Sequence, residues 1–293
     1  MIASQCWVAG RVETSVAYSE AGQMVIGSSP DEVPYGMQCW VAGAYLAIGQ
    51  PERWIELCHA QLARGGDTHA VVARASLVVA LTVVGSPDEA MATATGLIEA
   101  AEATRNPYML SFALLAYGYA VREADPIRAL DALHRSLMIA RDTGNRFNES
   151  TMAPSLARLE TEYGDPLAAL DYLALSIHNF HDSANTALMG VPMASLATFM
   201  DRLGHHESAA TIVGFALSPL TTATLPELEV TIAHLRSVLS DQTYESLARM
   251  GETMNTAAMV TYAYDQIDQA RTELNAVSIK GAACAPSDTT VEM

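Results

Sequence analysis

His178-Asn-Phe-His181-Asp182 comes closest in this chain to a set of metal ligands. Two imidazoles three apart share one helical face with a carboxylate beside them, and such a pair seeds a zinc site once a further ligand arrives from elsewhere. The sequence offers no such partner, and histidines near a helix C-terminus suit the negative end of the dipole, so this reads as a solvated helix end. His205-His206-Glu207 stands in a turn position where related segments have Asp-Pro or Ser-Pro, and reads as turn and cap chemistry. His59, His134 and His234 fall within amphipathic patterns and read as ordinary core-edge or surface residues. Glu160 and Glu162 lie two apart, so they point to different sides of a helix and make a poor acid/base couple.

Other chemistries lack their residues. The only lysine is Lys280, so the folded part has neither a P-loop lysine nor a Schiff-base lysine, and no Gly-x-Ser-x-Gly elbow occurs. Cys6, Cys39, Cys58 and Cys284 form no Cys-x-x-Cys pair and read as reduced thiols. A net charge of −17 disfavours nucleic acid and anionic membranes as partners. No signal peptide or membrane-length apolar run is visible, which gives a soluble, cytoplasmic protein as the expectation. The expectation is therefore no enzyme, with no catalytic, cofactor-binding or metal residues and no cofactor.

What the sequence does specify is a plan of helices. In Asp125-Pro126-Ile-Arg-Ala-Leu-Asp-Ala-Leu the aspartate is a good N-cap and the proline fits the first helical position. Ile127, Leu130, Leu133 and Leu137 follow at helical spacing. The device returns as Asp165-Pro166, and precedes as Ser86-Pro87 and Gln50-Pro51, with a degenerate copy at His205-His206. Asn106, Asn145 and Asn185 recur in the intervening turns, where asparagine caps helices and tolerates left-handed backbone. The steps from Pro51 to Pro87, Pro126, Pro166 and His206 are nearly equal, and each is long enough for two helices. They lie between the tetratricopeptide and HEAT spacings, and predict an all-α, tetratricopeptide-like α-solenoid of stacked antiparallel helix pairs. The predicted boundaries are helical repeats over 1–217, a C-terminal helical cap over 218–275 and a disordered tail over 276–293.

Within that plan, first helices are predicted over Pro34 to Ile48, Thr68 to Val84, Pro107 to Glu123, Phe147 to Tyr163 and Thr186 to Leu203. Return helices are predicted from Pro51, Pro87 (unbroken to Ala103), Pro126, Pro166 and about His206. In the cap, Leu225-Pro226 opens a helix through Ser240, Asp241 caps a short helix to Met250 that Gly251 ends, and Asn255 caps a last helix to Leu274. Tyr35, Tyr45, Tyr108, Phe112, Phe147 and Met189 lie on or at the start of first helices, and read as core before groove.

The segment from Gly251-Glu-Thr-Met-Asn-Thr-Ala-Ala-Met-Val-Thr-Tyr-Ala-Tyr to Arg271 resembles the end of the helical-repeat region in large actinobacterial regulators. Gly164-Asp-Pro-Leu-Ala-Ala-Leu through Ala210 and Ala44-Tyr-Leu-Ala-Ile-Gly-Gln-Pro-Glu-Arg53 are similar to it as well. Those regulators join a class III adenylate cyclase domain, or none, to a STAND-type ATPase and tetratricopeptide-like repeats, some with a LuxR-type helix-turn-helix at the end. The resemblance implies the sensing or partner-binding arm alone, since no Gly-x-x-x-x-Gly-Lys-Ser/Thr, cyclase or helix-turn-helix is present. A regulatory scaffold is then expected, binding protein or peptide partners, with a second copy of itself as one candidate because the N-terminal end looks uncapped and apolar. The alternative is a small-molecule sensor with its pocket inside the superhelix.

Overall fold

The computed structural model describes residues 2–28, 43–64 and 67–283. All regular structure among the described residues is helical. The N-terminal pair is α1 (Ile2–Val8) and α2 (Val12–Ser28), held together by Ser15, whose hydroxyl donates to the Ala3 carbonyl at 2.7 Å. Residues 43–47 form α3, which ends at Gly49 in left-handed backbone (φ 73°). The predicted helix from Pro34 lies mostly outside the described residues, with Tyr35 and Cys39; Cys284 lies outside them as well.

First helices then alternate with their returns. The elements are α4 (Pro51–Arg64), α5 (Asp67–Val83), α6 (Pro87–Ala94), α7 (Leu97–Ala103), α8 (Pro107–Val121), α9 (Pro126–Asp142), α10 (Arg146–Tyr163), α11 (Pro166–Asp182), α12 (Thr186–Arg202) and α13 (His206–Ala216). From α4 onward each packs on its chain neighbour, and α8 also packs on α5 and α10, as α12 does on α10. The first helices of successive pairs therefore lie side by side.

Local chemistry explains the boundaries. Asp125 and Asp165 accept from the main-chain N–H of Arg128 and Leu167, and Asn106, Asn145 and Asn185 accept from those of Tyr108, Asn148 and Leu188. The asparagines are caps, but the left-handed residue is the one before each: Arg105 (φ 53°), Gly144 (φ 68°) and Ala184 (φ 52°). Equivalent serines also pair across the helices: Ser136 donates to the Ser111 carbonyl at 2.6 Å, and Ser176 to the Ser150 carbonyl at 2.8 Å.

Four expectations need correcting. The return helix from Pro87 is broken at Gly96 (φ 72°), and the Arg74 guanidinium donates to the Thr93 and Thr95 carbonyls freed there. In the cap, a short α14 (Pro219–Thr224) precedes α15 (Glu227–Leu239), and Ser240 rather than Asp241 caps α16 (Asp241–Glu252). Gly251 does not end α16; it is buried inside it, where an added Cβ would stand 1.8 Å from the Thr211 carbonyl oxygen of α13. The last helix, α17 (Thr256–Ala283), is capped by Asn255 as expected but runs on past Leu274, into the predicted tail.

The core is apolar and nearly continuous. One cluster joins Trp7, Tyr45, Trp54 and the buried faces of α5 to α8, and it includes Leu220 of α14. Across it, α1 packs on α12. Helix α1 thus meets a helix far along the chain, and a partly open space lies between.

Candidate functional site

That space is the candidate site. It has two adjoining lobes of about 130 and 150 Å³, which share Trp7, Trp54, Val79, Tyr119, Thr151 and Leu188. The walls come from successive first helices: Val72 and Ser76 of α5, Tyr108, Phe112 and Leu115 of α8, Phe147 and Pro154 of α10, Val191 and Ser195 of α12. Together they are large enough for a side chain or a small organic group. Trp7, only 6% exposed, is set into the space by α1. Tyr108 and Phe112 stack with ring centres 6.2 Å apart. The Trp54 indole N–H is buried without a hydrogen-bond partner among the described residues.

One end is polar. Arg122, Ser150, Ser155, Arg158 and Ser195 line the larger lobe. Arg158 donates to Glu123 at 2.5 Å and lies 3.2 Å from Glu227 through Nε, out of line for a hydrogen bond. Arg122 comes within 3.3 Å of Glu123 and stands over the Tyr119 ring at 5.5 Å. Desolvation pulls the Arg122 guanidinium below the usual arginine range, and the charge of Arg158 adds to this. Burial works against ionised Glu123, but the hydrogen bond and charge of Arg158 outweigh it and hold the carboxyl below its ordinary value. Two arginines and two glutamates leave this end balanced in charge.

Among the described residues, those lining the two lobes include no histidine, cysteine, lysine or carboxylate. They offer apolar contact, hydroxyls and guanidinium donors. Of the aromatics noted in the sequence, Tyr108, Phe112 and Phe147 line the space, whereas Tyr45 and Met189 are core. Trp7, Trp54, Tyr119, Arg122 and Arg158 were not legible as wall residues. Their signal was periodic: Tyr108, Phe112, Leu115 and Tyr119 recur at three- and four-residue spacing along one face of α8.

The histidines divide differently from the expectation. His178 and His181 are exposed and meet Asp182, at 3.3 and 3.9 Å. His134 Nε2 lies 3.1 Å from the Tyr172 hydroxyl, and His205 Nε2 lies 2.8 Å from Glu273 of α17. His206 and His234, read from the sequence as a cap residue and an ordinary surface residue, instead converge on buried Asp201. Nδ1 of His206 is 2.9 Å from Oδ1 of Asp201, and Nδ1 of His234 is 3.0 and 2.9 Å from its two oxygens. The imidazoles meet edge to face with centres 5.4 Å apart. Glu160 and Glu162 point apart, towards the Asp165 N–H and Arg202.

No known protein family matches the chain, and no curated protein resembles it significantly. Among the described residues, no helix is long and apolar enough to cross a membrane.

Proposed function

We propose that the chain is a non-catalytic, tetratricopeptide-like solenoid that binds a protein or peptide segment in the space between its first helices, as a regulatory module in signalling or transcription. The observation that carries this reading is Trp7. A short helix already seats one aromatic anchor among Trp54, Tyr119 and Leu188, so the groove fits a helix that presents an apolar side chain. The side-by-side first helices, the even spacing of the return helices and the repeated serine pairs support the solenoid.

A second reading is favoured by one observation. The unpartnered Trp54 N–H at the wall of an apolar space of about 150 Å³ suits a small molecule with an acceptor atom. The test is native mass spectrometry of the purified full chain, alongside selection of a displayed peptide library on the wild type and Trp7→Ala. Enriched peptides with one aromatic anchor at helical spacing, binding Trp7→Ala about tenfold more tightly because the cis occupant is gone, support the first reading. A stoichiometric small-molecule adduct, with no peptide enriched on either protein, overturns it in favour of the second. Light scattering on the same sample tests self-association, for which Ile2, Tyr18 and Met24 are exposed.

A further inference from the structure

We propose that Asp201, His206 and His234 bind one divalent first-row transition ion through Asp201 Oδ1 and the two imidazole Nδ1 atoms. Distance is the first argument. Three metal bonds of about 2.1 Å at right angles place their ligand atoms about 3.0 Å apart, whereas a tetrahedral set needs about 3.4 Å. Asp201 Oδ1 lies 2.9 Å from one nitrogen and 3.0 Å from the other. One ligand atom from each residue lies within 4.8 Å of the others, so the three side chains can close on one ion.

Position is the second argument. Asp201 lies one residue from the end of α12, His206 opens α13 and His234 lies in α15. Three elements deliver one ligand each, so the backbone already fixes the cluster. Asp201 is 8% exposed and anchors it from below. The His234 side chain is about half exposed and gives an ion its approach, with His206 at 30% between them. Imidazole and carboxylate together favour zinc, cobalt or nickel over calcium or magnesium. The bound ion clips α15 to α12 and α13, which makes the site a joint between the helix pairs and the C-terminal helices.

The same distances serve two N–H···O hydrogen bonds, and the experiment separates the two. Chelator-treated full chain is titrated with Co²⁺ and with Zn²⁺, read by calorimetry and by the visible Co²⁺ spectrum. One ion per chain at micromolar affinity, weakened about 100-fold in His234→Ala and unchanged in His178→Ala, is the expected result. His234 is half exposed, so its removal leaves the fold intact; circular dichroism checks this. Lack of saturable binding overturns the site, and so does affinity that survives His206→Ala/His234→Ala.

Discussion

The Ser176 hydroxyl donates to the main-chain carbonyl of Ser150 at 2.8 Å, and this is the carbonyl that Pro154 leaves without its helical N–H. Proline inside a helix removes the donor four residues after that oxygen. A serine on the next helix supplies it, and both residues are buried. Ser136 makes the equivalent bond to Ser111, but there the helical donor is Leu115 and the carbonyl is not orphaned.

Ser176→Ala therefore leaves a buried acceptor bare and should destabilise by about 2–3 kcal/mol, whereas Ser136→Ala should cost about 1 kcal/mol. Urea unfolding of the two variants measures the order; equal losses would show that Pro154 plays no part.

Gly214 and Gly251 let α13 and α16 touch backbone to backbone. A Cβ at Gly214 would stand 1.8 Å from the Ala248 carbonyl oxygen, the same clearance as Gly251 has to Thr211. The contact is to main chain, so no side chain can yield. Gly251→Ala should cost about 3 kcal/mol or more and loosen α16, while Gly22→Ala, with open space around it, should not destabilise. Thermal unfolding and proteolysis near Asp241 report both.

Ala184 holds φ 52°, a left-handed backbone that an L side chain adopts at a cost of about 1 kcal/mol, and its place in the turn is the one Gly144 takes in the preceding pair. Ala184→Gly should raise the midpoint of unfolding by the equivalent of about 0.5–1 kcal/mol, despite the entropy that glycine adds to the unfolded chain. A lower midpoint would show that the turn is not strained.

Glu123 is held below its usual range despite partial burial, because Arg158 pairs with it. A depressed carboxylate contributes stability above its unfolded pKa of about 4.3, and that contribution disappears as pH falls through the folded value. Glu123→Gln should thus cost about 1 kcal/mol at pH 7, reduced by the exposure of this carboxylate, and nothing once both proteins are protonated. Denaturation curves across the acid range test the convergence.

Pairing and capping were legible because they are local: Pro126, Pro166 and the three asparagines announce helix starts through chemistry within the first turn. Gly251 defeats the same reasoning, because a glycine near a plausible helix end looks alike whether it stops the helix or admits a neighbour as distant in sequence as Thr211. His206 and His234 stayed hidden for a related reason, since Asp201 meets them only after α15 has folded back on α12. Arg74 carries no local sign that it caps a broken helix, because its carbonyl partners Thr93 and Thr95 belong to the next element of the chain. The walls of the partly open space sit between these cases: periodicity placed them on one face of each helix, and only tertiary packing turned those faces towards Trp7.

The seat of α1 has a consequence for biosynthesis. Gly10 lies against Thr186, so an added Cβ would stand 2.7 Å from the threonine hydroxyl, and more than half of the chain separates the two. Translation delivers α1 well before its seat on α12. At about 5–20 residues per second, α1 waits roughly 10–35 s for that surface to emerge. Throughout that interval Trp7 and the aromatic faces of α5 and α8 stand open on the ribosome. The seat of α1 should therefore close only after α12 has been made, so that α1 is the last of the early helices to become protected.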